Sequence, residues 1–239
     1  MTGPAHCRRK GRAPPERASL RAGRLLAQPH FVIWYDTDLR AVRWTAHHLT
    51  RFEAAVNPTK GHEETNDVED DGEARRDSFR SDPRLDPAQQ STCRDYKEPI
   101  FDQGHMVPNA EVDFMTPGIP HALGMDQSFL LSNMTPQHCA LNRGPWWVLE
   151  DLIRDWATQA DDTWIVTGAV YDRDGTPGRD PDSAAWCMKG QDAQRRVAIP
   201  SAQYKIVARW GAGQWQTVTV LLPNTDRLVT KSEMDGYLT

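Results

Sequence analysis

The sequence lacks several features that would point to common classes of protein. No apolar run comes near the roughly 18 residues that a membrane-spanning helix requires. The chain has four cysteines, Cys7, Cys93, Cys139 and Cys187, and no two of them have the C-x-x-C spacing of a zinc site or redox pair. It also lacks a positive net charge, since its formal net charge is −5. These absences exclude a membrane-spanning protein and argue against an extended basic surface for stable DNA binding.

Charge is unevenly distributed along the chain. Residues 62–77 carry eight acidic residues and two arginines, whereas residues 1–29 carry seven basic residues and one acidic residue. We interpret residues 1–29 as a disordered basic tail, residues 57–77 as an acidic surface insertion, and residues 30–239 as one domain. The N-terminal segment has no apolar core typical of a secretory signal, so the sequence leaves both the cellular location and the disulfide state open.

Hydrophobic patterning predicts an α+β fold. Runs of β-branched and aromatic residues predict strands at residues 31–35, 41–46, 128–131, 164–171, 204–210 and 215–222. Apolar residues at steps of three and four predict one amphipathic helix over Pro145–Gln159. Nine tryptophans recur through the chain, which predicts an aromatic-rich core. Strands outnumber helices without a repeating βαβ order, which favours a largely antiparallel central sheet flanked by helices.

The segment from Phe101 to Arg154 contains the residue types that phosphodiester hydrolysis needs. A histidine such as His105 is mostly neutral at pH 7 and can accept a proton from water. Mg²⁺ prefers oxygen ligands and keeps several waters, so the carbonyl of one asparagine such as Asn142 can hold it. Arginine side chains can neutralise the phosphate. These residues therefore form a candidate phosphodiesterase site.

The order of motifs in this segment resembles the DNA/RNA nonspecific endonuclease family, whose members carry a ββα-metal finger and include the mitochondrial endonuclease G type. The matching residues are Asp102-Gln103-Gly104-His105, Pro108, Glu111, Ser132-Asn133, Pro136-Gln137, Asn142-Arg143-Gly144, Glu150 and Arg154. Weaker similarity extends the resemblance over roughly residues 31 to 223. Several motifs in the same order are a more specific signal than any one of them.

The resemblance implies a role for each matching residue. His105 is expected to be the general base, and Asn142 the one direct protein ligand of Mg²⁺, with Mn²⁺ as an alternative ion. Glu150 is expected to hold water around the metal, Arg154 to contact phosphate, and Asn133 to orient groups of the site. The expected reaction is sequence-nonspecific cleavage of DNA and RNA, with a water on the metal protonating the leaving oxygen to give 5′-phosphate ends.

One position departs from the family pattern. Gln103 stands where the family usually has arginine, and an amide can donate hydrogen bonds to phosphate but supplies no charge. We expect weaker stabilisation of the transition state unless Arg76, Arg80, Arg84 or Arg143 compensates. Gln103, Arg80 and Arg143 are therefore the candidate contacts to substrate phosphate.

Simpler interpretations of the same residues remain open. Asn142 could be only a helix cap, and Glu150 with Arg154, four residues apart, could be only a surface salt bridge. The resemblance also leaves a homodimer open, for which an exposed Trp146 or Trp147 would be a candidate contact.

Two other functions compete with a nuclease. Gln103 motivates a nucleic-acid-binding protein that has lost catalysis, although the acidic body argues against it. A phosphodiesterase acting on small nucleotides could use the same residues in a narrower pocket.

Overall fold

The computed structural model describes residues 23–56, 79–96, 100–112, 121–171, 185–187 and 197–226. The acidic insertion predicted at residues 57–77 and residues 1–22 of the predicted tail lie outside these ranges. The strands of the described part are β1 (Gly23–Ala27), β2 (Phe31–Asp36), β3 (Ala41–Thr50), β4 (Phe101–His105), β5 (Met134–His138), β6 (Asp162–Val170), β7 (Ala185–Cys187), β8 (Val197–Ile199), β9 (Ala202–Gly211) and β10 (Gln214–Pro223). Its helices are α1 (Arg51–Val56), α2 (His121–Ser128), α3 (Cys139–Leu141) and α4 (Trp147–Thr158). Short 3₁₀ turns cover Cys93–Tyr96, Asn109–Glu111 and Leu131–Asn133, and a π-type turn covers Asn142–Trp146.

A six-stranded sheet forms the centre of the fold. Its strand order is β1-β2-β3-β6-β9-β10, and every neighbouring pair is antiparallel. The β2–β3 turn follows from local chemistry, since the Asp36 carboxylate accepts the backbone N–H groups of Asp38 and Leu39 at 3.0 Å each. The prediction of an α+β fold with a largely antiparallel sheet is confirmed.

One face of the central sheet carries the core. Helix α4 covers part of it, where Leu149 and Ile153 pack with Ile165 of β6 and Val207 of β9. The two-stranded β4–β5 unit covers the rest, where Met106 and other residues pack against strands β2 and β3. The candidate site residues lie between helix α4 and the β4–β5 unit, because both of these pack on the same side of the sheet.

Two predictions about local backbone structure are wrong in the described part. Residues 23–29 were assigned to a disordered tail, but Gly23–Ala27 is an edge strand paired in register with β2 and buries Leu26. Residues 128–131 were predicted as a strand, but they join the end of α2 to a 3₁₀ turn. Only an isolated bridge between Arg80 and Leu130 gives this run extended pairing. A short apolar run buried on all sides has no periodicity that separates strand from turn.

The tryptophans are less buried than their number suggests. Trp146 is enclosed, with 1% of its surface exposed, but Trp164 and Trp215 are more than half exposed. The prediction of an aromatic-rich core therefore holds for Trp146 and fails for the other two. The burial of Trp146 also removes it as a candidate dimer contact. Within the described residues, no helix has the length and apolar character to cross a membrane.

Candidate active site

The β4–β5 pair places the first motif against the sheet. Phe101–His105 pairs with Met134–His138, so Gly104 lies opposite Thr135. A Cβ atom at Gly104 would lie 2.5 Å from the Cβ of Gln137, which no side-chain rotation of Gln137 relieves. Gln137 is itself fixed, because its amide donates to Gln203 of β9 at 2.6 Å. Glycine at 104 thus lets β4 approach this buried polar link closely.

His105 ends strand β4 between two phenyl rings. The imidazole centroid lies 5.8 Å from that of Phe79 and 5.2 Å from that of Phe129, with the Phe129 ring edge-on. His105 is partly exposed, whereas the following residues Met106 and Val107 are completely buried. The strand therefore holds a partly exposed imidazole, whose Nε2 atom is itself buried, beside a backbone that lies in the core.

Asn133 fixes the backbone that follows His105. It is fully buried, its amide group donates to the carbonyls of Val107 and Ser128 at 3.0 Å each, and its carbonyl accepts the Val107 N–H at 3.1 Å. These three bonds use the polar atoms of the side chain on backbone groups. The orienting role of Asn133 stays a prediction, and these contacts place the side chain on the backbone that follows His105.

Asp102 joins strand β4 to the turn that begins the helical part of the site. Its carboxylate accepts the amide N–H of Asn142 at 3.0 Å and two guanidinium N–H groups of Arg143 at 2.8 and 2.9 Å. The turn bends at Gly144, whose φ of −119° and ψ of −111° are not helical, and Pro145 follows. With its amide nitrogen bound to Asp102, Asn142 has its carbonyl oxygen left for another partner.

Glu150 lies on the first turn of α4 in a mostly buried position. Its Oε1 atom lies 3.8 Å from the ammonium of Lys205 on β9, and no described residue gives that oxygen a hydrogen bond. Burial raises the pKa of Glu150 to about 7 and the negative charges of Glu111 and Asp151 act in the same direction, while Lys205 opposes the rise. This carboxyl group therefore changes charge near neutral pH.

A second cluster of buried charges lies beside Glu150. The Glu111 carboxylate bonds with His47 Nε2 at 2.6 Å and lies 3.9 Å from Arg154, whose guanidinium also pairs with Asp151. Burial acts against the charge of Glu111, yet the bond and charge of His47, with Lys205 and Arg154, hold its pKa below the ordinary value. Sequence analysis missed His47, Asp151 and Lys205, and it quoted Glu111 only as part of a motif.

Arg154 does not form the surface pair that its spacing suggested. Its side chain is 9% exposed and pairs with Glu111 and Asp151, while the ammonium nearest to Glu150 is that of Lys205. The alternative of a surface Glu150–Arg154 salt bridge is therefore wrong. Contact between Arg154 and phosphate stays a prediction, and it requires the guanidinium to reach substrate from a largely enclosed position.

The candidate phosphate-binding residues differ in their availability. The Arg143 side chain is 72% exposed although it forms a salt bridge with Asp102. Arg80 has no salt bridge to any described residue. Gln103 is partly exposed on β4. Arg84 is committed elsewhere, because it pairs with Asp82 and donates to the carbonyl of Ala27. Arg76 lies outside the described residues.

The donor set fits a hard, hydrated cation. The described part of the chain contains no group of three or more His, Cys, Asp or Glu side chains that could enclose a metal. Mg²⁺ needs no such cage, because it keeps several waters and accepts one or two protein oxygens. The oriented carbonyl of Asn142 is an oxygen of this kind, and the buried Oε1 of Glu150, to which no described residue donates, fits the predicted role of accepting a hydrogen bond from water. Cys93 and Cys139 are free thiols.

Comparison with known families agrees with this geometry. Residues 17–235 match the model of a family described as DNA/RNA non-specific endonuclease. The chain belongs to this family. The sequence prediction of the family is thereby confirmed, together with the class of enzyme that the family's description names.

Individual members of the family are distant relatives. Nuclease C1 of Cunninghamella echinulata var. echinulata is 29% identical over 89% of this chain and 75% of its own length. The mitochondrial endonuclease G of Homo sapiens is 25% identical over 84% of this chain and 60% of its own length. A nuclease of Serratia marcescens is 29% identical over 72% of this chain and 53% of its own length. The chain thus spans between about half and three quarters of these family members.

A solved structure shows the same fold. The crystal structure of the EndoG/EndoGI complex, described as showing the mechanism of EndoG inhibition, contains a chain that aligns with a TM-score of 0.66 and 23% identity. The alignment covers 89% of this chain and 78% of the other. The likeness shows that the two chains share a fold.

Proposed function

We propose that this protein is a metal-dependent endonuclease that hydrolyses phosphodiester bonds of DNA and RNA without sequence preference. One observation carries the proposal: strand β4 holds His105 at its end and, through Asp102, also holds the amide of Asn142. A proton acceptor and an oriented carbonyl oxygen are therefore built onto one ββα unit. These are the two groups that hydrolysis with a hydrated cation requires.

His105 is the general base of the proposed reaction. Its neutral imidazole accepts a proton from the water that attacks phosphorus, and the rings of Phe79 and Phe129 limit its orientation. Asn142 holds Mg²⁺ or Mn²⁺, which supplies positive charge for the phosphoryl and leaving oxygens. Glu150 in its ionised form would accept hydrogen bonds from water at this site. The expected products carry 5′-phosphate ends.

The charged groups around this unit suit contact with backbone phosphates. Arg80 and Arg143 have planar guanidinium groups that can bind phosphate through two hydrogen bonds, and Gln103 adds an uncharged donor. Contacts to phosphate carry no base sequence information, so weak sequence preference is expected. The protein has a net charge of −5 and few arginines at this site, which favours release of the cleaved product over stable binding.

Cleavage assays test the proposal directly. Purified protein is incubated with supercoiled plasmid, total RNA and a chromogenic phosphodiester, each with Mg²⁺, with Mn²⁺ and with EDTA. We expect both polymers to be cut with either ion and neither to be cut with EDTA. Treatment of the DNA products with ligase checks for the 5′-phosphate ends. His48→Ala, on the opposite face of the central sheet from the site, is the matched control for His105→Ala.

The assays also separate the competing functions. Cleavage of the small phosphodiester alone would assign the site to small nucleotides. If the folded protein binds DNA but does not cleave it with either ion, it is a binding protein whose activity was lost through Gln103. Either result would contradict the proposed nuclease function.

A further inference from the structure

Apolar and aromatic side chains lie exposed beside the candidate active site, at the start of strand β4. Ile100 is 51% exposed, and Phe101, the first residue of β4, is partly exposed. The ring of His138, at the end of β5, meets the Phe101 ring at an interplanar angle of 86°, with 6.1 Å between the two centroids. No step of the proposed reaction uses these three residues. An exposed apolar patch that adjoins a site is a candidate contact for its ligand.

Two hydrogen bonds hold His138 in place. Its Nδ1 atom accepts the backbone N–H of Ala140 at 3.2 Å, which makes His138 the N-cap of α3. Its own backbone N–H donates to the side chain of Asn224 at 2.7 Å, and Asn224 in turn donates to two backbone carbonyls. Helix α3 leads directly into Asn142. The aromatic pair is therefore built on the same unit of the fold as the candidate metal ligand.

Phe101 lies in line with the groups of the candidate site. Side chains alternate along a strand, so Phe101, Gln103 and His105 share one face of β4, and each is partly exposed. Four residues at about 3.3 Å each separate Phe101 from His105 by roughly 13 Å. Gln103, a candidate phosphate contact, lies midway between them. Arg143, another candidate, bonds to Asp102, which is the neighbour of Phe101 in the chain. A nucleic-acid strand that follows this face therefore meets phosphate-binding groups first and an aromatic ring next.

An unpaired nucleobase is the ligand that this arrangement fits. Proteins that bind single strands without sequence preference combine cations along the backbone with aromatic rings on which bases stack. Every base has a flat π-face, so such a ring adds affinity without selecting a sequence. A perpendicular ring pair uses the face of at most one ring for its own contact. The other ring of the pair keeps its faces for another flat group.

We propose that Phe101 and His138 form a stacking subsite for one unpaired base of the substrate, a few nucleotides away from the phosphate at His105. The position of the subsite relative to cleavage rests on the proposed nuclease function, whereas its affinity for a base does not. Bases inside a duplex are already paired and stacked, and extracting one is costly. The subsite therefore favours single-stranded DNA and RNA over duplexes.

Binding of a fluorescent base tests the subsite without metal and without the reaction. The probe is a single-stranded oligothymidylate that contains one 2-aminopurine, whose fluorescence falls on stacking, titrated with protein in EDTA. Phe101→Leu keeps an apolar side chain and removes the ring. His138→Asn removes the second ring and keeps a residue suited to the N-cap. Phe52→Leu is the matched control, because Phe52 is 84% exposed on α1, near the end of α4 that lies away from Asn142.

The ring variants and the control should differ clearly. We expect Phe101→Leu to lose most of the fluorescence change and to bind the oligonucleotide about 5-fold or more weakly, the lower end of what one stacked base contributes. His138→Asn should act in the same direction, and Phe52→Leu should match wild type. Equal binding and equal fluorescence change in wild type and folded Phe101→Leu would overturn the proposal, as would the loss of both in Phe52→Leu.

An abasic site in an end-labelled oligothymidylate locates the subsite in the wild-type protein and needs no variant. Under single-hit conditions with Mg²⁺, we expect cleavage to fall about 5-fold or more at one linkage, on one side of the abasic site, where the missing base would have been stacked. That linkage should lie within about four nucleotides, since a helical strand advances about 3.4 Å per nucleotide. Phe101→Leu should cut the same strand without this gap.

The outcomes of the abasic experiment are distinguishable from a failure of the nuclease function. Cleavage by wild type that is uniform around the abasic site, or a gap that persists in folded Phe101→Leu, would overturn the stacking subsite. A wild-type protein that cuts no nucleic acid would instead contradict the nuclease function. The fluorescence titration in EDTA would then still decide whether Phe101 and His138 hold a base.

Discussion

Replacing Glu150 by glutamine should remove a pH-dependent penalty from the free energy of unfolding. The carboxyl group has an ordinary pKa of 4.5 in the unfolded chain and a pKa of about 7 in the folded protein, where burial disfavours its charge. The folded state therefore holds this proton more tightly than the unfolded chain does. Stability contributed by the group is greatest below the unfolded pKa and is lost as pH rises from about 4.5 to about 7.

The size of the effect follows from the difference between the two pKa values. Each unit is worth about 1.4 kcal/mol, so full ionisation of Glu150 costs the folded protein roughly 3 kcal/mol. Part of that cost is already present at about pH 5, because the unfolded carboxyl has begun to ionise there. Between about pH 5 and about pH 8, wild type should lose 2 to 3 kcal/mol more stability than Glu150→Gln, to order of magnitude.

Urea unfolding at the two pH values, in buffer with EDTA, measures this difference. Other titrating groups are present in both proteins, so their contributions largely cancel in the comparison. Asp155→Asn, on the exposed side of the same helix, is the control and should follow wild type. Parallel loss of stability in wild type and Glu150→Gln would refute the reasoning, because it would mean that Glu150 is ionised at no cost.

Three further substitutions have definite expected outcomes. Gly104→Ala should lower the free energy of unfolding in urea by about 1–3 kcal/mol, because the new Cβ meets the fixed side chain of Gln137. Gly211→Ala, where the nearest neighbouring atom lies at 3.8 Å, should be close to neutral. Equal effects of the two substitutions would contradict the close approach of β4. Asp102→Ala should lower kcat about 10- to 100-fold, because Asn142, the candidate metal ligand, is no longer held in place. The free energy of unfolding should change by less than about 1 kcal/mol, since the Arg143 partner is exposed. An unchanged kcat would contradict a role of Asp102 in the site. Asn133→Ala should lower the free energy of thermal unfolding by about 2–4 kcal/mol, because three buried backbone groups lose their hydrogen-bond partner. A variant as stable as wild type would contradict the conclusion that Asn133 fixes the backbone after His105.

Much of the central sheet was predictable from local pattern. The β2–β3 hairpin and the β9–β10 pair are long, and their flanking turns contain residues suited to tight turns, so periodicity and turn chemistry agree. Strand β1 has three apolar residues, Leu25, Leu26 and Ala27, and its pairing with β2 supplies what its own sequence does not. Only residues 28–30 separate β1 from β2, so the two strands form a hairpin and the partner that the sequence analysis overlooked is a neighbour in the chain.

The motif residues of the site were predictable from their order, but their partners were not. Asp102, His105 and Asn142 were recognisable because the family motif places them, and the structure brings Asp102 and Asn142 together. The link from Arg154 to Glu111 joins residues far apart in the chain, so no spacing rule reveals it. The i,i+4 spacing to Glu150 suggested a different and incorrect partner.

Lys205 shows why buried charges escape sequence analysis. In the run from Tyr204 to Trp210, alternate residues Tyr204, Ile206, Ala208 and Trp210 are apolar or aromatic, which favours that set as the core face. The structure instead buries Lys205 and Val207 and exposes Ile206. The face with Lys205 and Val207 is the buried one because Glu150 and Met106 supply partners for the ammonium. Those partners are apparent only in the folded chain.

The most direct test of the account separates the roles of His105 and Asn142. Single-turnover cleavage of a DNA duplex is measured against Mg²⁺ concentration for wild type, His105→Ala and Asn142→Ala. The account predicts that His105→Ala lowers the maximal rate at least about 100-fold without changing the Mg²⁺ midpoint, because a general base is lost and the metal site is kept. Asn142→Ala should raise the Mg²⁺ midpoint about 10-fold or more. A maximal rate within a few-fold of wild type in His105→Ala, or an unchanged Mg²⁺ midpoint in Asn142→Ala, would contradict the assignment of base and metal ligand.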